Sequence, residues 1–413
     1  MVFDVLVVGG GVIGAAIALE LARSGARVAL AERDEIGRGC SYGNAGWLTP
    51  SLATPLPAPG VVRKALRWML DPESPLYIKP APSLALFDWL LRFALSARRE
   101  KFERGTAALV SLSRWSLEAY EKLDRELGGS FGFERRGLVV VAQSPEGYRY
   151  AQEEVALVSR FGVEGQLLDE NGVRAEEPAV RGAIEGGAFF PHEAHVEPFE
   201  VVRAMASHAE KLGAVLLDRT EVFGFDRTGG KLEAALTTRG RLRADRYVLA
   251  AGAWSRQLGQ QLGLKIPVLG GKGYAVVVKG SPNPPRRPIK LVEKRIAITP
   301  RRESLRLAGT LELVDSDRGI SPRRVEAILR GSREVLNLPE PVEIVEIWRG
   351  LRPCTPDGLP IIGFVPRYPN LLVATGHQML GLHTAPATGR LVADLLVGAK
   401  PEFDPAVFRP DRF

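Results

Sequence analysis

Apolar residues near the start of the chain fall into two periods. Val5, Leu6, Val7 and Val8 form a short unbroken run, which suits a strand buried on both faces of a parallel sheet. The run ends in Gly9, Gly10 and Gly11. The period then changes: Ala15, Ala18, Leu19 and Ala22 recur at helical spacing, with Gly25 as the stop. Residues 27–32 return to a strand pattern, so the first 32 residues predict a β-α-β unit. Residues 37–60 are rich in Gly, Pro, Ser and Ala and predict a long loop. Residues 61–125 read as helical, with Trp68, Trp89, Phe93 and Leu112 on apolar faces. Strands are expected at 138–141, 188–190, 214–217, 247–251 and 371–374, and a strand-rich stretch at 266–315. Helices are expected at 199–212, opened by Pro198, near 322–336, and at about 385–396. The Rossmann-like pieces lie at the start, the middle and the end, which predicts one discontinuous α/β unit with a second unit threaded through it.

Composition narrows the classes little further. The 413 residues are 45% hydrophobic and 25% charged, enough for a real core and against wholesale disorder. The net charge is +7, yet the basic residues are spread out, so no nucleic-acid partner is expected. Cys40 and Cys354 form no metal or redox spacing. The N-terminus opens directly into a strand, and the most apolar stretch, 84–97, is broken by Asp88 and Arg92. The expectation is therefore a cytoplasmic protein without a signal peptide or spanning helix.

The glycine run carries the first chemistry. Gly9, Gly11 and Gly14 match G-x-G-x-x-G between a strand and a helix. The three provide a tight turn, close approach of a pyrophosphate, and close packing of helix on strand. The helix N-terminus attracts the phosphates. Glu32, 18 residues after Gly14, ends the next strand and suits ribose hydroxyls, which disfavours NADP. The spacing leaves FAD and NAD both open.

Further blocks resemble the DAO family of flavoproteins over essentially the whole chain. They are Cys40-Ser41-Tyr42-Gly43-Asn44-Ala45-Gly46, Thr220-Glu221-Val222, Ala250-Ala251-Gly252-Ala253-Trp254-Ser255, Lys272-Gly273-Tyr274, Gly350-Leu351-Arg352-Pro353, Thr355-Pro356-Asp357-Gly358, and Thr375-Gly376-His377 with Gly381. The Asn-Ala-Gly piece resembles the D-amino acid dehydrogenase branch most. The resemblance implies FAD, a Rossmann-like cofactor domain at 1–55, 192–262 and 345–413, and a substrate domain of β-sheet plus helices at 56–191 and 263–344. It implies cofactor contacts from Val8, Gly9, Gly11, Val12, Ile13 and Gly14, and from Glu32 and Arg33. The next loop adds Ser41, Asn44, Ala45, Gly46, Trp47 and Leu48. Val222, Ala251, Gly252, Gly350, Gly376, His377, Gly381 and Leu382 complete the set. Backbone N–H groups ahead of the last helix suit the negative edge of a reduced flavin. Aligning Thr355-Pro356-Asp357 puts the cysteine that anchors FAD in some sarcosine oxidases at Gly350, so FAD is expected to be non-covalent.

Arg352 is the implied anchor for a substrate carboxylate, through a bidentate guanidinium fork. Tyr274 is the candidate hydroxyl partner or aromatic wall, His377 a candidate catalytic group, and Trp47 a candidate wall. The implied activity is oxidative deamination of D-amino acids by hydride transfer from Cα to flavin N5, with electrons passing to a quinone or other carrier. D-proline or D-hydroxyproline dehydrogenation, glycine or sarcosine oxidation, and a noncatalytic FAD-binding subunit are the alternatives. The basic segment 63–70, Arg63-Lys64-Ala65-Leu66-Arg67-Trp68-Met69-Leu70, either packs on the substrate domain or makes a peripheral contact with a membrane. His192, His195 and Glu197 are close in sequence, but a loop ahead of a helix explains them more simply than a metal site.

Overall fold

A computed structural model describes residues 2–61, 76–78, 84–314 and 319–413. The segment 63–70 lies outside the described residues. The apolar run becomes the strand Val2–Val8, followed by the helix Val12–Arg23 and the strand Val28–Ala31. All three are strongly buried, which explains why their sequences are nearly continuous apolar.

Val2–Val8 sits at the centre of an eight-stranded sheet. Val28–Ala31 and then Val215–Leu217 lie parallel on one side; Gly240–Leu249 and then Tyr368–Thr375 lie parallel on the other. The chain order therefore reverses beside Val2–Val8, and its carboxyl end opens at a topological switch point. The hairpin strands Val222–Thr228 and Lys231–Thr237 extend the sheet through Gly240–Leu249, and Ile361–Val365 pairs with Tyr368–Thr375. Helices Val12–Arg23, Pro198–Lys211 and Gly381–Val397 cover one face.

The last helix starts four residues before the expected position. Pro386 reads in sequence as a helix opening, but it lies inside the helix. Its missing N–H leaves the Leu382 carbonyl free, and the Tyr120 hydroxyl donates to that oxygen at 2.9 Å. Gly389 lets this helix approach the first one: a Cβ there would lie 2.7 Å from the Ala16 carbonyl oxygen.

Among the described residues the second sheet has nine strands. Its longest pairings set Leu269–Lys279 antiparallel between Ser304–Val314 and Ile344–Cys354. Leu138–Ala142 and Gly186–Phe190 continue it beyond Ile296–Pro300 and Ile289–Leu291. Ile344–Cys354 is thus hydrogen-bonded into this sheet, although it falls in the stretch expected to belong to the cofactor domain. It is an edge strand, which is where a proline such as Pro353 is tolerated. One face carries Tyr274, Val276 and Val278 and packs on the helix Pro322–Arg333. The stretch read as helical at 61–125 contains two described helices, Leu84–Ser96 and Arg99–Glu126, and a short strand, Leu76–Ile78.

Glu193 is a buried acid in the connection between the two sheets. Its Oε1 accepts from the Ser51 N–H at 3.0 Å, while Oε2 has no partner. Burial pushes its pKa up to about 8.

Two predictions come from this architecture. A Cβ on Gly14 would lie 1.9 Å from the Gly9 carbonyl oxygen, so Gly14→Ala should destabilise the fold by about 1–3 kcal/mol, read as a lower denaturation midpoint. Glu193 holds its proton more tightly folded than unfolded, so its contribution is complete below the ordinary carboxyl range and is lost as pH rises through about 8. Melting curves of Glu193→Gln and the wild type across that range should diverge, with the variant gaining relative stability on the alkaline side. An unchanging difference would contradict the protonated state.

Candidate functional site

A cavity of about 360 Å³ opens at the switch point. The glycine turn forms its base. Gly9 has φ 111°, and a Cβ there would lie 2.5 Å from the Ala250 carbonyl oxygen. The turn is pinned by Gly9 N–H donating to Ala31 O and Ala250 N–H donating to Val8 O, each at 2.8 Å. Gly11, Val12 and Ile13 then present the open first turn of the helix to the cavity. First-turn N–H groups have no acceptor within their helix. Of these, the Val12 N–H donates to the Ser41 Oγ at 3.0 Å, which fixes the loop after the second strand across the turn.

Glu32 and Arg33 line the same cavity. The Glu32 carboxylate accepts from Gly10 N–H at 2.7 Å and Asp34 N–H at 3.1 Å, so its position is set by backbone. The Arg33 guanidinium lies 4.0 Å over the Trp254 ring, a cation–π contact that places both on the cavity wall. Val222, Ala251 and Gly252 complete this part. Elsewhere the wall is made by Cys40, Asn44, Pro353, His377, Gln378, Gly381 and Leu382.

Several expected residues lie off the cavity and shape it indirectly. Gly14 packs beneath the turn. The Thr299 hydroxyl donates to the Ala45 carbonyl at 2.7 Å and itself accepts from Trp47 Nε1 at 2.8 Å. Gly46 has φ 86° and its carbonyl accepts from the Val196 N–H. Leu48 lies in the core. This loop is therefore clamped to the second sheet, and Trp47 is a buried strut. Gly376 turns the chain at φ 80° before His377, and Gly350 lies under the Trp348 ring.

His377 is 4% exposed. Its Nε2 is 3.1 Å from the Thr388 Oγ1, and burial lowers its pKa to about 3. The ring is neutral at ordinary pH and tied to the last helix, so it suits a structural post better than a proton carrier.

Arg352 and Tyr274 separate onto opposite faces of one sheet. Gly271 and Gly273 stand opposite Arg352 and Gly350 in register, and side chains alternate along a strand. A Cβ on Gly273 would lie 2.0 Å from an Arg352 guanidinium nitrogen, so that guanidinium lies over Gly273. Lys272 and Tyr274 point the other way. Tyr274 is 1% exposed and its hydroxyl donates to Glu312 at 3.2 Å. Glu312 also pairs with Lys272 at 2.9 Å and with Arg324 at 3.1 Å. Tyr274 therefore belongs to the core behind the sheet, contrary to the expected hydroxyl partner.

The Arg352 guanidinium donates to the Thr310 carbonyl at 2.7 Å and, among the described residues, forms no ion pair. Thr310, at φ 66°, lies at an irregularity in the strand pairing. Burial lowers the Arg352 pKa, while the Cys40 and Cys354 thiols are pushed up to about 11 and 12. Both thiols are therefore protonated and leave the cation unneutralised. The sequence reading missed the Thr310 carbonyl, the Arg33–Trp254 stack and Gln378.

His192 pairs with Glu164 at 2.9 Å, Glu197 binds Arg301 in bidentate fashion, and His195 is buried against Glu134. Their different partners leave no shared ligand set.

The residues at the switch point fit an FAD. The glycine cradle has no room for side chains, the helix start faces the cavity, and an acid held by backbone stands at the end of the second strand. Comparison with known proteins agrees. Residues 4–395 match the family described as DAO, FAD dependent oxidoreductase. The chain is 32% identical to a D-amino acid dehydrogenase of Granulibacter bethesdensis over 97% of each chain. It is 30% identical to a D-amino acid dehydrogenase of Bradyrhizobium diazoefficiens, covering 99% of this chain and 98% of that one. Among solved structures, a glycine oxidase from Geobacillus kaustophilus aligns with a TM-score of 0.80 and 29% identity, over 100% of this chain and 99% of that one. An L-proline dehydrogenase from P. horikoshii has the same TM-score at 21% identity, over 100% and 98%, a likeness of fold. A glycine cradle at the switch point, a second sheet carrying Arg352 beside it, and a family match over nearly the whole length show together that this chain belongs to the DAO family of FAD-dependent oxidoreductases.

Proposed function

We propose that the protein is a D-amino acid dehydrogenase. The carrying observation is the half-buried Arg352 guanidinium, which has no acidic partner among the described residues and precedes Pro353 on the cavity wall. A planar α-carboxylate accepts two charge-assisted bonds from such a fork. FAD, when bound, accepts the hydride that leaves Cα at its N5 atom. The role left to the chain is positioning. Arg352 holds the carboxylate; the loop at Ser41 and Asn44 and the helix start at Gly381 hold the cofactor; His377 stays neutral. An amine that arrives unprotonated loses its hydride without a catalytic base and then one N–H proton to water. The imino acid hydrolyses to a 2-oxo acid and ammonia, and the two electrons leave through a quinone or other carrier. The D-amino acid dehydrogenase relatives support this reading.

The cofactor is proposed to be non-covalent, because the position of the anchoring cysteine is Gly350. The domain division proposed keeps 1–55 and 192–262 for FAD and 56–191 for substrate, and moves the expected boundary at 345 to 355, because Ile344–Cys354 pairs with Leu269–Lys279. A cytoplasmic protein with a peripheral membrane contact is proposed as well. Its support is the stripe of exposed Leu84, Phe87, Leu91 and Leu95 at helical spacing. A glycine or sarcosine oxidase is the second reading, favoured by the glycine oxidase structure.

Anaerobic mixing of the FAD-loaded protein with D-alanine, L-alanine, D-proline, sarcosine and glycine tests the assignment. Loss of the oxidised flavin absorbance with the D-amino acids and its persistence with L-alanine is expected. Reduction by L-alanine alone, or by none of them, would refute it. Arg352→Lys should retain FAD and raise KM for D-alanine about 100-fold, roughly 3 kcal/mol, because the ammonium lacks the fork.

A further inference from the structure

The face of the second sheet that carries Arg352 is unusual for its side chains. Its central positions are Gly271, Gly273 and Ala275, opposite Arg352, Gly350 and Trp348 in register. Two large groups occupy this strip of missing side chains. A Cβ on Gly273 would lie 2.0–2.4 Å from the Arg352 guanidinium atoms, and a Cβ on Gly350 would lie 1.9–2.8 Å from the six-membered ring of Trp348. Gly273 and Gly350 are directly opposed. Cβ positions of such a pair are roughly 4.5–5.5 Å apart on one face. The guanidinium and the indole therefore occupy adjoining places over one glycine pair.

The other side of the indole is closed as well. A Cβ on Gly43 would lie 1.8 Å from the Trp348 ring, so the ring is held between the loop at 41–46 and the sheet. Tyr42 lies 6.4 Å from it by ring centroids, Phe199 lies 5.5 Å from Tyr42, and Arg38 caps both of these rings. The Tyr42 hydroxyl donates to Glu346, two positions before Trp348 on the same face, at 3.3 Å. Trp348 thus fills the space that continues from Arg352 toward this aromatic rim.

We infer that Trp348 is the residue that limits the size of the group attached to a carboxylate bound at Arg352. The inference rests on the proposed role of Arg352 and adds a determinant of side-chain size. A carboxylate on the guanidinium fork directs its substituent along the strip, and the indole ends that strip. Small substituents fit short of the ring; bulky ones meet it. Replacing the indole leaves both glycines and the anchor in place and opens the strip.

The test uses the FAD-loaded protein and two carboxylates that are not oxidised, acetate and benzoate, with Kd read from perturbation of the flavin spectrum. Trp348→Ala should raise the affinity for benzoate relative to acetate by about ten-fold or more, with Trp348→Phe between it and the wild type. In anaerobic reduction, the same variants should shift preference from D-alanine toward D-phenylalanine. An unchanged or lower benzoate-to-acetate ratio in variants that retain FAD would overturn the inference while leaving the role of Arg352 intact. If neither carboxylate perturbs the flavin of the wild type and Arg352→Lys reduces rapidly with D-alanine, the anchor fails, and the inference with it.

Discussion

A half-buried guanidinium with no carboxylate beside it among the described residues carries a desolvation cost, and that cost bears on the surroundings of Arg352. Among the described residues it meets the Thr310 carbonyl and two neighbouring thiols that burial keeps protonated. Among the described residues, Glu312 and Glu197 are engaged elsewhere. Glu312 is saturated by Lys272, Arg324 and Tyr274 on the far face of the sheet, and Glu197 binds Arg301. This allocation leaves the Arg352 charge without an ion pair among the described residues, next to Pro353 on the cavity wall. The three-way pairing of Glu312 is part of that arrangement, since it holds the opposite face of the same strands rigidly in the core.

Glycine is the second recurring device, and it makes room at two places. At the switch point, Gly9 and Gly14 bring strand, turn and helix closer than any side chain allows, which bares the first turn to a pyrophosphate. In the second sheet, Gly273 and Gly350 leave room for a guanidinium and an indole close to the backbone. The loop at 41–48 links the two places. It is tied to the glycine turn through Ser41 and to the second sheet through Ala45, Trp47 and Thr299. The cofactor cradle and the sheet that carries Arg352 are therefore held in one frame.

Much of the first place was legible in the sequence, because strand, glycine spacing and acid all lie within 32 residues. Local geometry suffices to derive it. The second place was legible only as motifs. Lys272-Gly273-Tyr274 suggested a tyrosine in the site, yet the two-residue period of the strand turns Tyr274 to the core and leaves the glycine facing Arg352. Gly350 and Pro353 interrupt the strand pattern of Ile344–Cys354, since both weaken one. Once it is read as an edge strand, the same period puts Trp348, Gly350 and Arg352 on one face. The start of the last helix was hidden for a similar reason: Pro386 looks like an opening residue, and the Tyr120 hydroxyl that allows it inside the helix comes from 262 residues away in sequence.

The central claim is that Arg352 receives the substrate carboxylate beside the flavin. A crystal structure of the FAD-loaded protein with a small 2-oxo acid bound tests it most directly. The account predicts both carboxylate oxygens within hydrogen-bond distance of the Arg352 guanidinium, with the substituent pointing along the glycine strip toward Trp348. A carboxylate bound elsewhere, or an Arg352 turned onto a protein acid in that complex, would contradict it.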